Sequence, residues 1–269
     1  MALLDRSEWL LAAQEALRRS SEANDPDLAR ILCYTNRTLE QLVPIARRAL
    51  HGTMADQLAV LPGEVLITRS AVMAPACRAG EEAAEEPDLL LGSNRELVVR
   101  DVTPERCDLA EFGVGSGDGL NAPVIDTLTA EVETGETRLS LRLLPPVGSA
   151  ARAELDGVLQ RLRQQARDAG KQAGRSLWRR YFLVRDAFAS LGPAAVLTVH
   201  RSQGSTFGEV FIAGDVFWPE DAVLRRQLAY VAVSRASQAV WLMAGGGAAA
   251  SPEAMAAERR LWSDGLQRA

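Results

Sequence analysis

The spacing of apolar and polar positions changes period twice along the chain. Over residues 5–22 the period is helical: Asp5 with Glu8 three later forms a capping-box pattern, and Leu10, Ala13 and Leu17 share one face until Pro26 stops it. This segment is expected to dock or link. Ala29 to Tyr34 is a short buried strand, followed by a helical face of Leu39, Leu42, Val43, Ala46 and Leu50 that ends at His51-Gly52, with Pro44 expected to kink it. From Pro62-Gly63 to about Pro146 the period is that of strands. Glu64–Thr68, Glu96–Arg100, Pro123–Val132 and Thr137–Leu144 are β-rich, with Thr134-Gly135-Glu136 as the turn between the last two. Helical spacing returns with Leu155, Leu159 and Leu162, and a further helix from Trp178 leads to Gly192-Pro193, its aromatics expected in a core. The last third alternates strand (195–199), loop (200–206), strand (209–213), helix (from 219–221 to Ser234-Arg235) and strand (239–243). That is the grammar of an α/β wound sheet. The division it predicts is a linking helix over 1–28, a parallel-sheet domain made of 29–61 and 147–269, and an inserted small antiparallel β-barrel over 62–146.

Composition narrows the class. A chain of 269 residues with 47% apolar and 24% charged positions is an ordinary globular protein, which excludes disorder, collagen and coiled coil. The net charge of −5 does not announce a nucleic-acid binder, so any anion must be gripped locally. Local charge is uneven. Fifteen acids between Glu81 and Glu136 face only Arg95, Arg100 and Arg106, including the run Glu81-Glu82-Ala83-Ala84-Glu85-Glu86. Over 150–202 ten basic residues face four acids. The first stretch reads as a solvated, acidic surface and the second as a basic helix face.

Other chemistries fall away. Lys171 is the single lysine, followed by Gln172 where a P-loop needs Ser or Thr, so the chain carries no P-loop of its own. Cys33, Cys77 and Cys107 show no C-x-x-C spacing, and only His51 and His200 are available, so neither a disulfide scaffold nor a metal centre is expected. No leader or membrane-length apolar run is apparent, and a cytoplasmic protein is expected. A hydrolase built on His200 with Ser202 or Ser205 would want a G-x-S-x-G elbow, which is missing.

What remains is the loop His200-Arg201-Ser202-Gln203-Gly204-Ser205-Thr206 and Arg235. Ligands of wound sheets sit beyond the carboxyl ends of the strands. The loop after Val199 is expected there, and so is Arg235 at the end of its helix. A glycine among hydroxyl and amide groups, with an arginine arriving from elsewhere, is a phosphate or oxyanion environment; an arginine aimed at a γ-phosphate is worth roughly 10³–10⁵ in rate.

The order and spacing of these segments resemble superfamily 1 helicases. Leu197-Thr198-Val199-His200-Arg201-Ser202-Gln203-Gly204-Ser205-Thr206-Phe207 resembles motif V, Leu228 to Ala236 with Ser234-Arg235 resembles motif VI, and Cys33-Tyr34-Thr35-Asn36-Arg37-Thr38 resembles motif IV. The similarity runs in order from about residue 29 to 245 and is greatest to the RecD/Dda-like branch. It implies a second RecA-like motor domain, a P-loop NTPase-like fold without the P-loop, interrupted by a small barrel. In that family ATP and Mg²⁺ lie between two RecA-like domains, the other of which supplies the P-loop. The resemblance implies Arg235 as the arginine finger and Arg37 as a second basic residue near the γ-phosphate. It places Gln203, Gly204 and Thr206 near the nucleotide. Thr198, His200, Thr35 and Asn36 are implied as contacts to single-stranded DNA. The partners it implies are single-stranded DNA and a P-loop domain in cis or trans, with no membrane. This chain departs from relatives at Val43-Pro44 and at Ser237, and its acidic barrel segment offers no basic wedge. The alternative reading is a stand-alone, non-catalytic module that binds nucleic acid or protein.

Overall fold

The computed structural model describes residues 1–74, 88–115 and 122–244. Cys77, the acidic run 81–86 and the tail after 244 lie outside the described residues. In chain order the elements are β1 (Ala2–Leu4), α1 (Arg6–Glu22), β2 (Ala29–Cys33), α2 (Asn36–His51), the one-turn α3 (Met54–Gln57), β3 (Val65–Thr68), β4 (Val72–Met73), β5 (Leu89–Leu91) and β6 (Glu96–Asp108). They continue with β7 (Val124–Thr134), β8 (Thr137–Arg142), α4 (Ala150–Asp168), α5 (Lys171–Asp186), β9 (Leu191–Pro193), β10 (Val196–Thr198), β11 (Phe207–Ile212), α6 (Ala222–Val233) and β12 (Ala236–Met243). The chain divides into two compact units, one of residues 1–58 with 193–269 and one of residues 59–192.

The first unit is built on a five-stranded sheet in the order β1-β12-β11-β2-β10, all neighbours parallel. Every residue of β2 is buried, as a central parallel strand requires. Helices flank the sheet. Trp9, Ala13, Ala16 and Leu17 of α1 and Leu39, Leu42 and Ala46 of α2 form one cluster with Ile31, Cys33, Val196 and Phe211. Trp9 meets Phe211 edge-on, Phe211 stacks on Trp241, and the Trp9 indole N–H donates to the Trp241 carbonyl at 3.1 Å. Residues 1–28 are therefore not a linker: β1 is the edge strand beside β12, and α1 covers the sheet. Ala13 and Leu17 of the expected stripe are buried, and Trp9, the largest side chain on that face, is buried with them. Asp5 caps α1 by accepting from the Ser7 and Glu8 amides, and α2 runs on through Pro44. Gly208 is required by close packing, because a Cβ there would lie 2.7 Å from the Leu28 carbonyl oxygen.

The second unit holds a sheet in the order β8-β7-β6-β3-β9, in which the β3–β6, β6–β7 and β7–β8 pairs are antiparallel, and a separate β4-β5 pair. The Arg69 amide donates to the Ser190 carbonyl at 2.8 Å on one side. On the other, the Ala189 amide donates to the Arg142 carbonyl at 2.7 Å and the Leu144 amide to the Ala189 carbonyl at 3.0 Å. These bonds draw the two edges of the sheet together at one end. β6 and β7 also extend past that sheet as a long ribbon, and α4 and α5 bury Leu155, Val158, Leu162, Val184 and Phe188 against Cys107, Leu109 and Ile125 at its far end. The boundary thus falls elsewhere than the sequence pattern put it: residues 147–192 belong with the ribbon because their apolar stripe is buried there. α5 begins at Lys171, a full two turns before Trp178, and its inward stripe is Val184 with the half-buried Leu177 and Tyr181. Phe182 is consequently 42% exposed rather than a core residue.

Candidate functional site

The segment after β10 is held by its own main chain. The Val199 amide donates to the Cys33 carbonyl at 2.8 Å, extending the ladder between β10 and β2. The Thr198 carbonyl then accepts from the Arg201 amide at 2.9 Å and the Ser202 amide at 3.1 Å, and the Ser205 amide donates to the Ser202 carbonyl at 3.1 Å. Ser202 is fully buried, its hydroxyl donating to the Val199 carbonyl at 2.8 Å. These successive turns carry the chain from the carboxyl end of β10 to the amino end of β11. Gly204 turns it at φ +88°, a left-handed geometry that favours glycine. Gln203, Gly204 and Thr206 are left exposed along the way.

Arg235 joins that loop at its far end. The helix α6, capped by Asp221 through the Val223 and Leu224 amides, runs back against the strands. The residue after it therefore enters β12 at the strand's amino end. The Arg235 carbonyl accepts from the Phe207 amide at 2.7 Å, and its guanidinium donates to the Ser205 carbonyl at 3.1 Å, the Val231 carbonyl at 3.2 Å and the Ser234 hydroxyl at 3.0 Å. All three acceptors are neutral. The side chain is half-buried. The expectation that Arg235 lies beyond the carboxyl ends of the strands is corrected: it sits with Gly204, Ser205 and Thr206 at the amino ends of β11 and β12.

The carboxyl end of the sheet carries the other set. Thr35 caps α2, its hydroxyl accepting from the Thr38 amide at 3.1 Å, which leaves Asn36 and Arg37 exposed on the first helical turn. The exposed His200 lies beside Tyr34, with ring centroids 6.1 Å apart and tilted 41°. Thr198 lies within β10 and is only 8% exposed, so its side chain is a weak candidate for any ligand contact. Arg37 does not join Arg235: β2 ends level with Ile212, whereas Arg235 precedes the start of β12, roughly six residues or 20 Å lower along the sheet.

One residue that the sequence reading passed over organises this end. Asp215, in a short 3-10 turn over Gly214–Phe217, is 1% exposed. It accepts from the Tyr34 amide at 3.0 Å, the Thr35 amide at 2.8 Å and the Thr35 hydroxyl at 3.0 Å. A carboxylate at the start of α2 also suits the helix dipole. Because Asp215 already takes these two amides, they are not open to an outside anion. Burial pushes the neighbouring Cys33 thiol well above its ordinary value, so it stays protonated and inert. Among the described residues no cluster of three or more His, Cys, Asp or Glu could hold a metal ion, and no helix is long and apolar enough to cross a membrane.

Residues 193–243, from the end of β9 to the end of β12, match the family described as the UvrD-like helicase C-terminal domain. That stretch contains the whole loop after β10, α6 and Arg235. Across solved structures the chain is similar to the Pif1 helicase from Candida albicans, at 10% identity and a TM-score of 0.34, with 94% of this chain and 57% of that one covered. The chain thus spans little more than half of that helicase. No curated protein sequence matches.

Proposed function

We propose that this chain is the C-terminal motor half of an ATP-dependent DNA helicase of the RecD/Dda-like type. In this reading the unit of residues 1–58 and 193–269 is the second RecA-like domain and the antiparallel unit its small inserted barrel. Arg235 is the arginine finger, presented to ATP and Mg²⁺ held by a P-loop domain in cis or trans, with Gln203, Gly204 and Thr206 lining the same edge. The observation that carries the reading is the latch between Arg235 and the Ser205 carbonyl. It joins the two helicase-like segments at one end of the sheet and leaves a positive charge bound only to neutral acceptors. Asn36, Arg37 and His200 form the strand-gripping set at the opposite end, with Thr35 and Thr198 behind them. Arg37 thereby moves from the nucleotide to the nucleic acid. ATP bound between the domains would supply the driving reaction; this chain would orient it and neutralise charge developing on the phosphates.

The test is hydrolysis with and without a partner. The chain alone is expected to show no turnover, and joined to a P-loop domain it is expected to gain DNA-stimulated turnover. There Arg235→Ala should leave ATP affinity within a few-fold and depress turnover by roughly 10³ or more. Turnover that survives that substitution removes the finger role. Failure of any P-loop domain to confer hydrolysis favours the stand-alone binding module.

A further inference from the structure

The α4–α5 hairpin carries a surface that the helicase reading does not use. Helix α5 has two stripes. One, Leu177, Tyr181 and Val184, faces the ribbon core. The other, Arg175, Trp178, Arg179 and Phe182, repeats at i, i+3, i+4 and i+7 and faces outward, with Arg175 and Arg179 exposed and Phe182 42% exposed. Its rings are packed among themselves: Trp178 stacks on Phe182 at 5.9 Å, and the Arg185 guanidinium lies 4.7 Å over the Phe182 ring. Neighbouring charge is unbalanced. Among the described residues Arg161, Arg163, Arg167, Arg175 and Arg179 have no carboxylate partner. In the same unit Arg100, Arg106, Arg138 and Arg142 of the strands are each paired with an acid.

We propose that the outer face of α5 is a docking site for an acidic amphipathic helix of a partner protein. The charge is complementary: arginines without acids call for carboxylates. The exposed Phe182, with the half-buried Trp178 beside it, calls for apolar side chains at matching helical spacing, in the aromatic-plus-arginine composition that dominates binding energy at protein interfaces. Nucleic acid fits less well. Base stacking wants an open ring face, and Phe182 already carries Trp178 stacked beside it and the Arg185 guanidinium over its ring. The proposal is independent of the helicase reading.

The probe is a fluorescently labelled synthetic helix with Leu and Phe on one face and Glu on both flanks, titrated against the full chain at low and physiological salt. Specificity comes from a control with every Glu replaced by Lys and from a labelled dT oligonucleotide. Because the whole chain is net negative, binding of the acidic helix above the basic control reports a local basic site and not bulk attraction. Arg175→Glu with Arg179→Glu, and separately Phe182→Ala, should each weaken the acidic helix by about tenfold or more, while melting temperatures stay within a few degrees because these side chains are exposed. Affinity for the acidic helix unchanged by charge reversal, or equal affinity for the Lys control, overturns the proposal. So does oligonucleotide binding that the charge reversal abolishes in the absence of acidic-helix binding, which would make the face a nucleic-acid surface.

Discussion

At the ends of the parallel sheet, Asp215 and Arg235 are bonded to the main chain and a hydroxyl; along the antiparallel ribbon the arginines of the strands are bonded to carboxylates. Asp215 accepts from two amides and a hydroxyl, and Arg235 donates to two carbonyls and a hydroxyl. On β6 to β8, by contrast, Arg100 and Arg138 meet Glu133, Arg106 meets Asp126, and Arg142 meets Glu105. The difference has a physical consequence. A charge held by neutral dipoles is positioned without being cancelled, so it can act on a ligand, whereas an ion pair is positioned by being cancelled. Surface ion pairs of the second kind contribute little each, but a buried carboxylate holding two amides is costly to remove.

The contrast predicts a hierarchy of losses. Apart from turnover at Arg235, the largest effect is expected from Asp215→Ala, which strands the Tyr34 and Thr35 amides in a buried site. It should lower unfolding free energy by about 2–4 kcal/mol, read as a shift in denaturant midpoint at unchanged slope. Asp215→Asn, which keeps one acceptor oxygen, should lose about half of that. A loss under about 0.5 kcal/mol for the alanine variant would mean that the clamp is incidental.

Smaller is the effect at the exposed groups this clamp presents. Arg37→Ala should weaken single-stranded DNA binding a few-fold and reduce the slope of log affinity against log salt by about 0.7, the value for one phosphate contact on a single strand. Stability should not change, since Arg37 is exposed. An unaltered salt slope removes Arg37 from the strand-gripping set and returns attention to the nucleotide side.

These residues differ in how visible they are in the sequence. Parallel α/β architecture followed from apolar runs alternating with helical stripes, a local pattern, and the proposal for Arg235, Gln203 and Gly204 rests on motif spacing, which is local too. The end of the sheet at which Arg235 sits was legible in principle from direction: a helix returning antiparallel delivers its last residue to the amino end of the next strand. The rule that ligands lie at carboxyl ends points to the opposite end, and the direction of α6 overrides it. Asp215 was not legible. Its partners are about 180 residues away, and an acid after an apolar strand reads as a loop residue until the fold brings β11 beside β2. The placement of α4 and α5 failed for the same reason, since the stripe Leu155-Val158-Leu162 shows that a face is buried and not against what.

The smallest expected effect sharpens the comparison from the ribbon side. The hydrogen bond from Arg142 holds the Glu105 carboxyl below its ordinary value, against the opposing effect of burial and with help from the Thr129 hydroxyl. A carboxyl depressed in the folded state contributes stability above its unfolded value, and that contribution is lost as pH falls through the folded value. Glu105→Gln is therefore expected to cost about 1 kcal/mol at pH 7 and progressively less as pH falls below the ordinary carboxyl range and through the depressed folded value, where the wild-type carboxyl takes up its proton. Denaturant titrations of both proteins across pH 2.5–7, the range set by carboxyl titration, should converge at the acid end. Asp215→Asn should behave differently in one respect: its loss at pH 7 includes amide bonds that no neighbouring arginine can replace. Parallel curves for wild type and Glu105→Gln down to the acid limit would show that the ribbon pairs are not ionic in their contribution, and the distinction between cancelled and uncancelled charge would fall with them.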